Sequence, residues 1–410
     1  MPTLTWDQKS QPNFQTAELI LQSQIYPDGA GYPNEEPVNH LYFGDNLQVM
    51  AFLLPEFAGK VDLIYADPPF FTNKNFTARI GRGEDSRRPN EWKLTEGYAD
   101  NWKDIDAYMD YLYPRLLLIY QLLSPKGTFY LHLDWHVDSY ARILLDEIFG
   151  RERLINQIAW IYHGPSPIRN AFNRKHDTIY MYSKSKDYTF NSDAIREPYH
   201  PNTVKTFESS AKAGFGKIPD LARGKVPEDW WYFPVVARLH NERTGYPTQK
   251  PEALLERIIR ASSNSGDLVA DCFCGSGTSL LVAARQGRRF LGIDATWPAI
   301  HTTRKRLASL PSKSFNIWQE KTSLMPRMSR PILTSVDGSS ISIIDSPELD
   351  YWEIDPDWKG IPFKSAVQSV RPLRSSQIPL KVDYKNLGKN IKLRAVSIDG
   401  KVDERIIPNP

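Results

Sequence analysis

The sequence predicts an α/β fold built around a mostly parallel β-sheet. Segments with strand and helix periodicity alternate from about residue 40 to residue 310, which is the order that βαβ units produce. VDLIYA (61–66) is a near-continuous apolar run followed by an acid and two prolines, and such runs are typical of strands buried in a parallel sheet. GSGTSLLVAARQG (275–287) places a glycine turn at the start of a helix, directly after another apolar strand.

Turn and capping residues mark where these elements begin and end. Asp45 or Asn46 is expected to cap the first helix, Pro251 to stand in the first turn of a later one, and Pro114 to kink or split its helix. The polar residues 72–104 predict a long loop. Helices are predicted within 40–54, 104–123, 137–150, 251–263, 275–287 and 298–310, and strands within 40–54, 61–66, 128–134, 156–163, 176–184, 267–273 and 288–294.

Two further regions differ in character from this alternation. Between about 185 and 245 the periodicity disappears among glycine, proline and aromatic residues. After about residue 325 the pieces ILTSV, SISIID, LKVDY and IKLRAVSI predict a small β-rich region.

The composition is that of an ordinary globular protein, with 41% hydrophobic and 24% charged residues among 410. The first residues do not resemble a signal peptide, and no apolar run approaches the roughly 18 residues of a membrane helix, so we expect a cytoplasmic protein without a membrane partner. Cys272 and Cys274 are too few for a structural zinc site and too close for an ordinary disulfide, which predicts reduced packing thiols.

The net charge of +3 does not by itself indicate a polyanionic partner. Its distribution is more informative, because residues 151–250 are rich in Lys and Arg interleaved with Trp and Tyr. This mixture suits phosphate contacts and base stacking. A solvated surface with ordinary aromatic packing is the alternative.

The segment DLVADCFCGSGTS has the features of a site for a nucleotide-like cofactor. A buried strand ends at Asp271, and Gly275 and Gly277 would let a ligand approach the N-terminus of the next helix. Asp294, at the end of the following strand, is placed to bind a ribose diol. Leu280 stands where a dinucleotide fingerprint would have its third glycine, and the lysine of a P-loop is absent. A tight strand-to-helix turn without a ligand is the alternative.

The segment Asp67-Pro68-Pro69-Phe70 predicts chemistry on an exocyclic amine of a nucleobase. Such an amine is a poor nucleophile because its lone pair is delocalised into the ring. A carboxylate and the Pro68 carbonyl, held side by side, could accept both amine hydrogens and direct the lone pair at an electrophile. Phe70 or Phe71 could stack on a base that has been flipped out of a duplex. A rigid turn after a strand is the structural alternative.

DLIYADPPFFTNKNF, together with TQKPEALLERIIRASSNSGDLVADCFCGSGTSLLVAARQGRRFLGID, resembles the amino-methyltransferases of DNA, which methylate adenine N6 or cytosine N4 with S-adenosylmethionine. The order of the two motifs resembles the permuted class called β. The resemblance runs from about residue 40 to 310. It implies a Rossmann-like methyltransferase fold with a doubly wound, mostly parallel sheet.

The resemblance also implies roles for individual residues. Asp67, Pro68, Pro69 and Phe70 would be catalytic. The cofactor residues would be Asp45 near the adenine, Asp294 on the ribose, Lys250 closing the pocket, and around the methionine part Asp271, Phe273, Gly275 and Gly277.

Four regions follow from the resemblance: a catalytic half (1–184), a target-recognition region (185–245), a cofactor-binding half (246–324) and a β-rich C-terminal region (325–410). The 72–104 loop would order on DNA. Candidate DNA-contact residues are Lys74, Arg79, Lys184, Lys186, Lys205, Lys212, Lys217, Arg223 and Lys225.

The predicted function is site-specific methylation of adenine N6 in double-stranded DNA with a flipped target base, by a monomer or homodimer, with or without a separate restriction endonuclease. Cytosine N4 methylation, methylation of RNA or of protein glutamine, and non-catalytic DNA binding are the alternatives. His132, Asp134 and His136 alternate as metal ligands could, but methyl transfer from a sulfonium needs no metal and none is expected. His163 is a less favoured candidate base.

Overall fold

The computed structural model describes residues 3–10, 12–85, 87–166, 168–209, 219–237, 240–375 and 377–409. Two of the candidate DNA-contact residues, Lys212 and Lys217, lie outside these described residues. None of the helices in the described ranges is long and apolar enough to cross a membrane.

The α-helices alternate with strands through the first three quarters of the chain. Two of them begin at aspartate caps: Asp45 accepts a hydrogen bond from Leu47 N at 2.8 Å, and Asp104 accepts one from Ala107 N at 2.9 Å. In the described ranges the helices are α1 (Asn46–Phe57), α2 (Ile105–Leu122), α3 (Asp138–Phe149), α4 (Pro201–Ser209), α5 (Glu252–Ser262), α6 (Thr278–Arg285) and α7 (Trp297–Ala308).

The described strands before residue 325 are β1 (Leu19–Ile25), β2 (Asn39–Phe43), β3 (Val61–Ala66), β4 (Lys74–Gly81), β5 (Trp92–Asp100), β6 (Leu123–Leu133), β7 (Leu154–Ile161), β8 (His176–Ser183), β9 (Trp230–Tyr232), β10 (Leu268–Asp271), β11 (Arg289–Asp294) and β12 (Phe315–Glu320). Those of the C-terminal region are β13 (Leu333–Asp337), β14 (Ser340–Asp345), β15 (Leu349–Asp355), β16 (Phe363–Ser365), β17 (Val367–Val370), β18 (Lys381–Asp383), β19 (Asn390–Ser397) and β20 (Val402–Pro408).

The largest sheet has the order β16-β1-β12-β2-β11-β10-β3-β6-β8-β7-β9. The run from β12 to β6 is parallel throughout, whereas β1, β8 and β7 join by antiparallel pairing. The predicted α/β fold with a mostly parallel sheet is therefore confirmed.

Both faces of this sheet are covered by helices, as in a doubly wound fold. On β3, Ile64 and Ala66 pack into a core with α1, α2 and α3, whereas Leu63 and Tyr65 pack into a second core with α5, α6 and α7. Burial on both faces explains why this strand is almost wholly apolar.

The prediction of a long loop at 72–104 is wrong. Strands β4 and β5 pair antiparallel from Lys74 opposite Asp100 to Gly81 opposite Trp92, and we call residues 74–100 the hairpin. Its strands bury few side chains, among them Ala78, so the alternation that identifies a strand is weak in the sequence.

Pro114 does not split its helix, because α2 is one helix with the proline inside it. An internal proline costs roughly 3 kcal/mol or more. Leu112, Leu116 and Ile119 of α2 are fully buried, and each such side chain contributes about 1.5–3 kcal/mol, which outweighs that cost.

The C-terminal region is β-rich, as predicted. It forms a three-stranded sheet, β13-β14-β18, and a four-stranded sheet, β17-β15-β19-β20, while β16 joins the edge of the main sheet beside β1. Strand β15 was not predicted. It is wholly buried although it carries Asp350, Glu353 and Asp355, so its sequence lacks an apolar pattern.

Candidate active site

Four acidic residues follow the carboxyl ends of adjacent parallel strands. Asp67 follows β3, Asp271 ends β10, Asp294 ends β11, and Asp45 stands two residues after β2. Because β2, β11, β10 and β3 are neighbours in the sheet, these carboxylates gather at one edge of it.

A tight turn at residues 67–72 follows β3 and carries the predicted catalytic residues. The fully buried carboxylate of Asp100, at the end of β5, accepts hydrogen bonds from three consecutive backbone N–H groups of this turn, at 3.2, 2.9 and 2.8 Å: Phe70, Phe71 and Thr72. It also accepts from the Thr72 hydroxyl at 2.6 Å and from Trp102 Nε1 at 2.8 Å. The base of the hairpin thus holds the turn in place.

Backbone conformation and a second contact fix the turn further. Phe71 has φ of 63°, which lies in the left-handed region. This conformation is unfavourable for any residue other than glycine, so it persists only where the surrounding structure enforces it. The Tyr108 hydroxyl donates to the Pro69 carbonyl at 2.7 Å. Sequence reasoning missed Asp100 and Tyr108, because nothing near them in the sequence marks contacts made across about thirty or more residues.

The two carboxylate oxygens of Asp67 have different environments. Oδ2 accepts a hydrogen bond from the Lys250 ammonium. Oδ1 is buried and has no hydrogen-bond partner among the described residues, and His132 Nδ1 lies 3.9 Å from it. Because a buried carboxylate oxygen without a donor is costly, Oδ1 is suited to accept one from a ligand.

Asp67 lies at the junction of two cavities. One, of about 150 Å³, is lined by six of the predicted cofactor residues, namely Asp45, Lys250, Asp271, Phe273, Gly275 and Asp294. The other, of about 330 Å³, is lined by aromatic and acidic side chains that include Phe70, Trp160, Tyr162 and Asp177. We call them the cofactor cavity and the base pocket.

Comparison with models of known protein families identifies the family of this chain. The sequence model of the DNA methylase family matches residues 61–305. The chain belongs to this family.

Two bacterial relatives of this methylase match more than half of its chain. The DNA adenine methyltransferase YhdJ of Escherichia coli K12 is 33% identical over 254 residues, covering 61% of this chain and 77% of YhdJ. The type II methyltransferase M.HpaI of Haemophilus parainfluenzae is 31% identical over 250 residues, covering 61% of this chain and 68% of M.HpaI. Among solved structures, the cytosine-N4-specific PvuII DNA methyltransferase aligns with a TM-score of 0.44 and 16% identity, over 72% of this chain and 90% of that one.

Membership of the DNA methylase family confirms the prediction of a DNA methyltransferase. The mostly parallel sheet with helices on both faces confirms the predicted Rossmann-like fold. Methyl transfer from S-adenosylmethionine is the chemistry of a DNA methylase, so the predicted cofactor agrees with family membership.

In the methylase, Asp271 and Asp294 shape the glycine turn of the cofactor cavity. Asp271 accepts from Phe273 N at 3.0 Å, and burial raises its pKa to about 7. Asp294 accepts from Gly275 N at 2.9 Å and from Thr296 N at 2.9 Å, and burial raises its pKa as well. Both carboxylates therefore fix the turn as well as line the cavity.

Gly277 does not line the cofactor cavity. It caps α6 with φ of 72°, and a Cβ added there would meet Thr303 Oγ1 at 2.5 Å. The structure places this glycine where α6 and α7 approach closely, which is a packing position. Cys272 and Cys274 are buried free thiols, as predicted, and burial raises the pKa of both.

Asp45 joins the cofactor cavity to α2. Arg115 Nη2 lies 3.2 Å from Asp45 Oδ2, and Arg115 Nε donates to Asn46 Oδ1 at 2.6 Å. Asn46 in turn donates to the Cys272 carbonyl at 2.8 Å. Sequence reasoning missed Arg115 and Asn46 as parts of the site, along with three tyrosines that line the cavity: Tyr98, Tyr111 and Tyr246.

The candidate DNA-contact residues have varied environments. Lys74, Lys186 and Lys205 are exposed, whereas the Arg79 guanidinium packs 4.2 Å from the centre of the Trp92 ring. Arg223 pairs with Asp193 at 2.8 Å, and Lys225 pairs with Glu228.

Lys184 is not placed as a phosphate contact. Its ammonium donates to the carbonyls of Tyr120 and Leu123, each at 2.6 Å, and burial lowers its pKa. These bonds tie the end of β8 to the end of α2, so the charge that suggested DNA contact serves the fold.

The residues considered as metal ligands contact other groups. His132 Nδ1 lies 2.8 Å from the Tyr65 hydroxyl, and its Nε2 lies 3.1 Å from Asp177 Oδ2. Asp134 and His136 follow the end of β6 and pair with each other at 2.8 Å. Within the described part of the chain, no group of three or more His, Cys, Asp or Glu side chains could hold a metal ion.

Proposed function

We propose that this protein transfers a methyl group from S-adenosylmethionine to the N6 amine of adenine at a specific site in double-stranded DNA. The observation that carries this proposal is Asp67 Oδ1, a buried acceptor without a partner among the described residues, at the junction of the cofactor cavity and the base pocket. Membership of the DNA methylase family and the name of YhdJ, a DNA adenine methyltransferase, support it.

The residues of the cofactor cavity fit S-adenosylmethionine. Carboxylates at the ends of β10 and β11 suit an ammonium group and ribose hydroxyls, and Tyr111 offers aromatic surface for an adenine. When bound, the cofactor supplies an electrophilic methyl group on a sulfonium.

The protein's part in the transfer is to hold the amine. Asp67 Oδ1 and the Pro68 carbonyl accept its two hydrogens, so its lone pair points toward the cofactor cavity. The bound cofactor would supply the methyl carbon to which this nitrogen bonds, and the electron pair of the broken carbon–sulfur bond would remain on the sulfur. The methylated ammonium then passes one proton to Asp67 or to water. Lys250 pairs with Oδ2 and leaves Oδ1 free for this work.

The target base can reach Asp67 only after it has left the DNA double helix. Phe70 is half-buried in the 67–72 turn, and Trp160 of the base pocket is buried. A base within a duplex cannot enter such a pocket, so the proposed substrate presents a flipped base, stacked on Phe70 or Tyr162. Residues 185–245 are the proposed target-recognition region, and Lys74, Lys186 and Lys205 the proposed phosphate contacts.

We further propose that the protein acts in the cytoplasm as a monomer or homodimer, either with a separate restriction endonuclease or as an orphan enzyme. Cytosine N4 methylation is the second candidate. The family model is that of the N6/N4 enzymes, and both bases present an exocyclic amine to the same pair of acceptors.

The test is to incubate the protein with DNA and S-adenosylmethionine, digest the DNA to nucleosides and identify the methylated base by mass spectrometry. We expect N6-methyldeoxyadenosine in wild-type samples and none with Asp67→Ala. N4-methyldeoxycytidine would support the second candidate instead, and no methylated base despite cofactor binding would contradict both. Sequencing of the modified DNA then gives the recognition site.

A further inference from the structure

The tip of the hairpin, residues 81–91, carries a buried charged residue, Glu84, whose partners lie in the C-terminal region. Glu84 accepts from Arg371 Nη1 at 2.9 Å and from Arg374 N at 3.0 Å, and the Glu84 and Arg371 side chains are only 3% and 1% exposed. Gly81 N donates to the Ile398 carbonyl at 2.7 Å. These contacts join positions 287 residues apart in the case of Glu84 and Arg371.

Arg371 connects this tip to α7 as well. Its Nε donates to Asp350 Oδ1 at 2.7 Å, and the same carboxylate accepts from Lys305 at 2.6 Å and contacts His301 at 2.9 Å. Helix α7 begins three residues after Asp294 of the cofactor cavity. One buried charged network therefore links the hairpin tip, the C-terminal region and the helix that follows the cofactor site.

The other end of the hairpin is attached to the 67–72 turn. Asp100, at the end of β5, binds the backbone of that turn, and Tyr98 lines both the cofactor cavity and the base pocket. A two-stranded hairpin alone is marginally stable in water, so its position depends on what it packs against.

We propose that the C-terminal region is a positioning element for methyl transfer: it clasps the hairpin tip through Arg371 and Glu84, and the hairpin holds the 67–72 turn through Asp100. Glu84 and Arg371 are positioning residues that do not touch the substrate. The kinetic consequence rests on the proposed function, whereas the clasp itself does not.

The variant that tests the clasp is Glu84→Ala in the full chain. Arg371 keeps its bond to Asp350 and a bond from Nη1 to the Ser375 carbonyl at 2.8 Å, so the C-terminal region retains its own contacts. Trypsin reports on the tip, because the Arg87 side chain there is 62% exposed and is followed by a residue other than proline. We expect cleavage after Arg87 at least tenfold faster than in wild type, and a single-turnover methylation rate at least tenfold lower.

The conservative variant Glu84→Gln keeps an oxygen that can accept from Arg371 and Arg374 N, so it should restore most of the protection and most of the rate. A matched control is Glu404→Ala. Glu404 pairs with Arg394 Nε at 2.8 Å and with Lys392 at 3.0 Å, and both of these partners lie in the C-terminal region and not in the hairpin. This control should leave both readouts within twofold of wild type.

Unchanged cleavage after Arg87 in Glu84→Ala would overturn the clasp through Glu84 and Arg371 and would leave the tip held by bonds such as Arg82 Nη2 to the Arg374 carbonyl at 2.8 Å. Equal acceleration by Glu404→Ala would also overturn it, because it would indicate general loosening. Faster cleavage with an unchanged methylation rate would overturn the positioning role. If wild-type protein methylates no DNA, the proposed function fails, while the trypsin comparison still decides whether the clasp exists.

Discussion

At the scale of the residue, Asp67 has one oxygen engaged and one available. Lys250 occupies Oδ2, and Oδ1 has no partner in the described part of the chain. This asymmetry separates the function of Asp67 from that of the other acids at the sheet edge. Asp271 and Asp294 both accept hydrogen bonds from the glycine turn and line the cavity proposed for the cofactor.

Asp67→Ala should abolish methylation and leave the affinity for S-adenosylmethionine within a few-fold of wild type. Removing one oxyanion-hole donor from an enzyme typically costs about 10²–10³-fold in rate, and we expect a loss of at least this size when Asp67 no longer holds the amine. Titration calorimetry and a single-turnover assay measure the two quantities. Cofactor binding lost together with activity would show that Asp67 belongs mainly to the cofactor cavity.

Asp294→Ala should show the opposite pattern, with cofactor affinity reduced about tenfold or more and DNA binding retained. The variant removes a ligand acceptor and also the group that holds Gly275 N. Titration calorimetry with the cofactor and a fluorescence assay with DNA compare the two affinities. Wild-type cofactor affinity would exclude the assigned role.

Asp100→Ala should destabilise the protein by about 3 kcal/mol or more, because it leaves several buried donors without an acceptor, each worth about 1–3 kcal/mol. Urea unfolding measures the change. Asp104→Ala is the control: it removes a helix cap in the same segment and should cost about 1 kcal/mol. Equal losses in the two variants would mean that the Asp100 contacts contribute little.

At the scale of the element, α6 and α7 can pack closely because Gly277, at the start of α6, has no side chain. Gly277→Ala places a methyl group 2.5 Å from Thr303 Oγ1 at a residue with positive φ. Gly59→Ala is matched in backbone conformation, with φ of 70°, and meets nothing within 4 Å.

Gly59→Ala should therefore cost about 1 kcal/mol from backbone strain alone, and Gly277→Ala at least 1–3 kcal/mol more from overpacking. Urea unfolding of both variants measures the difference. Similar losses would indicate that α7 shifts without cost and that Gly277 is not a packing position.

At the scale of the whole molecule, the buried acids make stability depend on pH. Burial raises the pKa of Asp271 from 3.8 to about 7, so between these values the folded protein binds more protons than the unfolded chain. The stabilisation of the folded state by protonated Asp271 is complete below about pH 4 and is lost as the pH rises through about 7.

Without cofactor, wild type should therefore lose about 2–3 kcal/mol more stability between pH 5 and pH 7.5 than Asp271→Asn, at about 1.4 kcal/mol per pH unit over roughly two units. Urea unfolding of both proteins at the two pH values tests this. Parallel pH profiles would show that Asp271 is ionised throughout this range.

The local chemistry of the molecule could be read from the sequence because its residues are neighbours in the chain. Asp67-Pro68-Pro69-Phe70 and the glycine turn after Asp271 are short segments whose spacing fixes which groups lie side by side. The alternation of strands and helices predicted the parallel sheet, and a parallel sheet brings the carboxyl ends of its strands to one edge.

Contacts between distant parts of the chain were decided only by the tertiary structure. Asp100 meets the 67–72 turn across about thirty residues, and Arg371 meets Glu84 across 287. Buried acids such as Glu353 obscured β15, and the charge of Lys184 suggested DNA although it binds backbone carbonyls. The physical reason is common to these cases: a charged residue looks solvent-exposed in a sequence, and its buried partner becomes evident only once the chain has folded.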